Sequence, residues 1–217
     1  MAIRRETSGQ RRHAPRLYLL TDLADPAEIA VALTTALTAG DVAAVLLGIG
    51  GNDEREKIKQ IKLLAPQIQD SGAAVLLNGH PDLAARAGAD GAHLRGIEAL
   101  RDAASTLKPE RIAGVGNLIT RHDSMLAAEI GADYVMFGEA NEDQERSGFE
   151  FIIDRLSWWS ELFEVPCVGY AATLEEVGPL SEAGADFVAL GADLWMGVAG
   201  ASHVAEAQRR LAVKEAV

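Results

Sequence analysis

Eight times along this chain a short, unbroken apolar stretch gives way to a longer segment with helical periodicity. The apolar stretches lie at 16–22, 42–48, 73–79, 91–94, 111–117, 134–139, 165–170 and 187–193. Most are continuous rather than alternating. Strands need such runs when both of their faces are covered, which predicts a parallel sheet flanked by helices. In one intervening segment Ile58, Ile61, Leu64 and Ile68 recur at helical spacing, with lysines in the gaps. Helix starts are marked as well. Asp25-Pro26 sets a capping carboxylate before a first-turn proline, with Glu28 following. Asp53 with Glu56, Ser147 with Glu150 and Thr173 with Glu176 predict capping boxes, and Thr120 with Asp123 is a weaker version.

An internal repeat organises these elements. Gly88-Ala89-Asp90, Gly131-Ala132-Asp133 and Gly184-Ala185-Asp186 each fall between a predicted helix and the next strand, 43 and 53 residues apart. Ala39-Gly40-Asp41 is a looser fourth copy. The glycine ends each helix in a left-handed conformation, and the aspartate opens the strand at the lower rim of a barrel. The spacing is that of two βα units. Eight such units in 217 residues predict one small α/β domain, a (βα)8 (TIM) barrel with a parallel eight-stranded core over 16–217, behind a basic, solvated tail at 1–15. An open, doubly wound sheet is the alternative arrangement of the same elements.

Composition narrows the partners. The net charge is −12. Residues 1–16 carry five arginines against Glu6, a net of +4, which leaves −16 on residues 17–217. So acidic a body repels nucleic acid and anionic membrane, and neither is an expected partner. No stretch approaches the ~18 apolar residues of a membrane span, and the charged start lacks the apolar core of a signal peptide. The single cysteine, Cys167, sits in an apolar run and reads as a buried thiol, in keeping with a cytoplasmic protein. Trp158-Trp159, with Phe149, Phe151 and Phe163 nearby, predicts packing between helices or a homodimer contact.

In such barrels the chemistry sits at the C-terminal ends of the strands. The stretch from Gly48 to Asn52, with Gly50 and Gly51, offers backbone N–H groups at a helix start and could cradle a phosphate; a plain strand-to-helix turn explains the same glycines. His80 and His93 end adjacent strands. A histidine beside a carboxylate such as Glu98 or Glu139 can serve as general base near neutral pH, while a capping or surface role is the ordinary alternative. Asp22 and Asp193 could bind a metal or a ligand hydroxyl, or cap the helices that follow. Asn78, Asn117, Tyr170 and the helix start after Gly191 complete the ring as substrate-contact candidates.

These pieces, in this order, resemble the thiamine-phosphate synthases and their relatives the thiazole tautomerases, over nearly the whole chain from Arg16. Leu17-Tyr18-Leu19-Leu20-Thr21-Asp22 is similar to that family's LYLVTD strand. Leu76-Leu77-Asn78, Asp82-Leu83-Ala84 and Gly88 to Leu94 are similar to IINDRxDLA…GADGVHLGQ, and Gly131 to Gly138 to GADYVLFG. Ala113-Gly114-Val115 resembles the start of GVSVH, and Val165-Pro166-Cys167-Val168 the IPVVAIGG strand. The resemblance implies the barrel fold, a phosphorylated small-molecule substrate and Mg2+, with Asn78 in a substrate role and Glu98 in place of one metal carboxylate.

The sequence also departs from the family pattern. Leu46, Gly48 and Gly50 stand where VQLREK places polar groups, and Gly79 where the family has the aspartate of ND. Gly116-Asn117 replaces SVH, the acidic stretch Glu139–Glu145 replaces the TxTK loop, Ala171-Ala172 replaces a Gly-Gly pair, and Ala192 replaces a serine. Displacing pyrophosphate requires neutralising several negative charges, and an acidic loop repels them; Arg146, just before Ser147-Gly148, is the one cation offered nearby. Three functions therefore stand open. The first is the family's joining of a pyrimidine pyrophosphate to a thiazole phosphate. The second is isomerisation of a thiazole or another small molecule by proton transfer through His80 or His93 with Glu139. The third is a divergent barrel that binds a ligand or a protein without catalysis.

Overall fold

The computed structural model describes residues 14–21, 23–51, 53–141 and 145–211. The strands β1 (Arg16–Leu20), β2 (Val42–Leu47), β3 (Ala74–Asn78), β4 (Gly91–Arg95), β5 (Ile112–Gly116), β6 (Tyr134–Phe137), β7 (Cys167–Ala171) and β8 (Phe187–Leu190) pair in parallel and in sequence order. β8 closes back onto β1, with Arg16–Leu19 in register against Phe187–Leu190. Helices α1 (Pro26–Ala39), α2 (Glu54–Asp70), α3 (Pro81–Ala87), α4 (Gly96–Leu107), α5 (Arg121–Ile130), α6 (Phe149–Leu162) and α7 (Val177–Glu182) follow the first seven strands in turn. The short α8 (Ala192–Trp195) and then α9 (Gly200–Leu211) follow the eighth. The predicted barrel is the observed fold. Much of the basic tail, Asp22, Asn52 and positions 142–144 of the acidic stretch lie outside the described residues.

Because strand side chains alternate, the core has two layers. Leu19, Val45, Leu77, Val135 and Leu190 face outward onto helix residues such as Ile29, Leu33, Ile61 and Leu156. Tyr18, Leu46, Leu76, Met136, Val168 and Ala189 fill the barrel interior. The Gly-Ala-Asp repeat explains how strands join in pairs. Gly88, Gly131 and Gly184 have φ of 79°, 100° and 97°, the left-handed stop the sequence predicted. The carboxylates of Asp90, Asp133 and Asp186 then accept from the backbone N–H of Val75, Ala113 and Cys167 at 2.7, 2.7 and 2.8 Å. Each aspartate thus staples the start of an even strand to the odd strand before it. In the looser copy, Asp41 accepts from Arg16 Nε at 2.9 Å instead.

Several local expectations are corrected. The eighth strand ends at Leu190, so Asp193 lies in α8 rather than at a strand end. The chain turns there because Trp195 is buried and its Nε1 donates to the Leu20 carbonyl at 2.7 Å. Asp25 caps its helix as predicted, accepting from Ala27 N–H, whereas Asp53 accepts from Arg55 N–H as a simple cap rather than in a box with Glu56. Thr120 and Asp123 form a complete reciprocal capping box. At 147–150 the cap position falls on Gly148, which has no side chain to contribute. Thr173 precedes a 3-10 turn (Leu174–Glu176) with no side-chain cap bond, because Glu176 is drawn to Arg146.

Candidate active site

A chain of polar side chains threads the upper barrel. Tyr18 on β1 and Tyr134 on β6 point inward and share a hydroxyl–hydroxyl hydrogen bond of 2.8 Å. His93 on β4 places Nδ1 2.8 Å from the Tyr134 hydroxyl and Nε2 3.1 Å from Glu139 Oε2, just beyond β6. Strand β5, which runs between them, makes the room. Gly114 and Gly116 are two apart and share the inward face. A Cβ at 114 would overlap the Tyr134 ring, and one at 116 would overlap the Glu139 carboxylate.

Burial orders this chain. His93 is 1 % exposed and the Glu139 side chain 12 %. Burial pushes both phenols far above the ordinary range, most of all because an ionised phenol would lose its hydration, so both stay protonated. With Glu139 ionised, Nε2–H donates to it; Nδ1 then accepts from Tyr134, which accepts from Tyr18. Glu139 is the outermost member and lines a cavity of about 760 Å³ above the ends of β5 and β6, against α6. His93 stands behind it. The arrangement can present a carboxylate to a small molecule and move a proton at that point, with the imidazole orienting the carboxylate.

The other predicted residues are placed as follows. Asn117 lines the same cavity with φ of 55°, a left-handed conformation that is uncommon outside glycine. Tyr170 and Gly191 meet across β7 and β8, where a Cβ at 191 would overlap the Tyr170 hydroxyl. His80 is half-buried at the start of α3. Burial, and then the Lys57 charge, lower its pKa, while Asp82 and a backbone contact at Ile49 oppose the shift; its partners are thus on the β2 side and not in the His93–Glu139 pair. Gly50 and Gly51 precede α2, where the Asp53 carboxylate already accepts from Arg55 N–H. Arg146 is committed: it donates to the Gly138 and Tyr170 carbonyls and to both oxygens of Glu176. Trp159 is buried, with Nε1 donating to the Val165 carbonyl, and Trp158 packs under Arg121; both pack within α6 and its neighbours.

Among the described residues the side chains do not assemble a Mg2+ site. Asn78 is exposed at the end of β3, and Glu98 is 81 % exposed and paired with Arg101. Glu139 is taken by His93. Among the described residues no three acidic, histidine or cysteine side chains converge as a metal site.

Sequence reasoning passed over Tyr18, Tyr134, the Gly114/Gly116 pair and Arg155. Two glycines spaced by two in a buried strand were the available signal for space on one face. For Arg155 the signal was a charge on the apolar stripe Ile152, Leu156, Trp159.

Comparison with known proteins gives a consistent result. A family model described as "Thiamine monophosphate synthase" matches residues 17–194. A thiamine-phosphate synthase of Rhodospirillum centenum is 39 % identical over 203 residues, covering 89 % of this chain and 96 % of that one. Another, from Hyphomonas neptunium, is 32 % identical over 197 residues, 87 % and 89 % of the two chains. Among solved structures, thiamine phosphate pyrophosphorylase from Pyrococcus furiosus superposes with a TM-score of 0.76 at 21 % identity, covering 92 % and 96 % of the two chains. A 3-hexulose-6-phosphate synthase from Salmonella typhimurium gives 0.72 at 19 %, over 90 % and 98 %. At those identities the structures attest to the fold.

Proposed function

The chain belongs to the thiamine monophosphate synthase family, and from that premise we propose that it is an enzyme of thiamine metabolism. It acts on a phosphorylated small molecule of the thiazole class by proton transfer at the barrel mouth. The observation that carries this reading is Glu139, exposed to the cavity on one side and held by buried His93 on the other. In the step proposed, Glu139 removes a proton from a carbon of the substrate. The C–H electron pair moves into the ring, and the same carboxyl returns the proton to another ring atom. The net change is an isomerisation that consumes no oxidant and breaks no phosphate bond. His93 is a positioning residue, and the two tyrosines fix its tautomer. A cytoplasmic setting suits the reduced, buried Cys167; among the described residues no helix is long and apolar enough to cross a membrane.

The second reading is the condensation of a pyrimidine pyrophosphate with a thiazole phosphate. It is favoured by the names of the relatives at 39 % and 32 % identity. Weighing against it are Gly79 in place of one magnesium carboxylate and the engagement of Arg146 by Glu176. The acidic stretch Glu139–Glu145, which stands where the family has its cationic loop, would add repulsion to any pyrophosphate.

One experiment separates the two. Thiazole phosphate is incubated with the protein in D2O and followed by NMR, with a parallel incubation adding pyrimidine pyrophosphate and Mg2+. The expected result is ring-proton exchange or isomerisation that falls at least about a hundredfold in Glu139→Gln. In His93→Gln the pH profile of kcat should shift, with KM little changed. Formation of thiamine phosphate without exchange would establish the condensation instead. Neither activity in the folded protein would leave a binding barrel.

A further inference from the structure

Helix α6 buries Ile152, Leu156 and Trp159 against the barrel, and Arg155 lies on that same stripe. A leucine would serve packing there. A buried arginine loses hydration, and the position is unfavourable unless its charge is met. Arg155 is 4 % exposed. Its guanidinium lies 4.9 Å from the Phe151 ring centre and 5.9 Å from that of Phe137. Nη2 donates to the Ile119 carbonyl at 3.2 Å and Nη1 to Ser124 Oγ at 3.4 Å, both neutral acceptors. Nε is buried with no partner. Among the described residues no carboxylate forms an ion pair with it.

This cation lines the cavity that Glu139 also lines. Two helix starts open on the same space. Gly96 begins α4, and Ser147 adjoins Gly148, the cap position of α6; neither helix has a side-chain cap. Uncapped N–H groups and the positive ends of both helices favour an anion. Arg155 reaches back toward the start of its own helix, as helical side chains do. The other charges on the cavity are Glu145, which is exposed, Glu139, held by His93, and Arg146, held by Glu176. The end near Arg155 is where an anion meets unneutralised positive charge.

We propose that Arg155, with the uncapped starts of α4 and α6, forms a subsite for the phosphoryl group of the substrate. This rests on the cavity being the substrate site and names the ligand class it takes. The edge of the Arg155 guanidinium that lines the cavity and the helix N–H groups donate to the phosphoryl oxygens, and the reacting ring is directed toward Glu139. Arg155 thereby selects phosphorylated over unphosphorylated substrate, in place of the cationic loop that the sequence lacks.

The test is calorimetric titration of the full chain with inorganic phosphate at low salt. Saturable binding to the wild type is expected. Arg155→Met should weaken it at least tenfold, Arg155→Lys less, and Arg121→Met, at an exposed arginine of α5, should leave it unchanged. Circular dichroism verifies folding, and Arg155→Lys decides if the methionine variant does not fold. Absence of phosphate binding by the wild type at millimolar concentration, or undiminished binding by a folded Arg155 variant, overturns the proposal. Glu139→Gln separates it from the proton-transfer reading. If that variant retains phosphate affinity while the wild type shows no exchange chemistry, the subsite stands and that reading falls. If exchange proceeds but phosphate binding ignores Arg155, the reverse holds.

Discussion

Tyr18, Tyr134, His93 and Glu139 form a line of hydrogen bonds in a space that apolar side chains would otherwise fill. Every member of the line has a partner, which is what makes so polar an interior tolerable. The two phenols carry a consequence for stability. Each has a folded-state pKa raised above the unfolded tyrosine value of about 10. Their contribution is therefore fully present below pH ~10 and is lost as the pH rises above it, because the unfolded chain releases protons that the folded one keeps. The expected slope is about 1.4 kcal/mol per pH unit for each tyrosine. Urea unfolding at intervals above pH 10 should show it, and Tyr18→Phe should remove roughly half. An unchanged slope in that variant would mean that the phenol is hydrated in the native state.

At the scale of elements, the strand starts are held by carboxylates as well as by the sheet ladder. Asp133 accepts from Ala113 N–H at 2.7 Å and from Lys108 Nζ at 2.6 Å. Losing that carboxylate strands a backbone donor at the foot of β5. Asp133→Ala is expected to cost about 1–3 kcal/mol, the penalty of an unsatisfied buried group. Glu98→Ala, which removes an exposed ion pair, should stay within about 0.5 kcal/mol. Urea midpoints of the two variants decide it, and equal midpoints would reduce the repeat to a loop signature without energetic weight. The aspartates and the proposed proton-transfer groups occupy opposite ends of the strands, so the repeat can stabilise the barrel without constraining the site.

At the scale of the whole molecule, closure of β8 on β1 removes every free sheet edge among the described strands. What remains unfavourable is charge. A net −12 on one small body repels itself, and the ion pairs at its surface are mostly exposed and weak. Raising NaCl from about 10 to about 150 mM, which shortens the screening length to roughly 8 Å, is expected to raise the melting temperature by a few degrees. A fall instead would show that ion pairs such as Arg146–Glu176 and Lys108–Asp133 outweigh the net repulsion.

The sequence by itself determined the architecture, because its signals are local. Continuous apolar runs, the glycine that stops a helix and the aspartate that follows it are each read within a few residues, and repetition multiplies them into a barrel. The family was legible for the same reason, in strings such as Gly131 to Gly138. His93 with Glu139 could be named as candidates from their positions at strand ends. Their contact could not, since it depends on two glycines in a third strand leaving space between β4 and β6. Tertiary structure alone separated His80 from that pair, placed Glu139 rather than His93 on the cavity, bound Arg146 to Glu176 and set Arg155 on the cavity wall. Each of those outcomes turns on which side chains face one another across the fold, and a linear order of residues does not carry that distance.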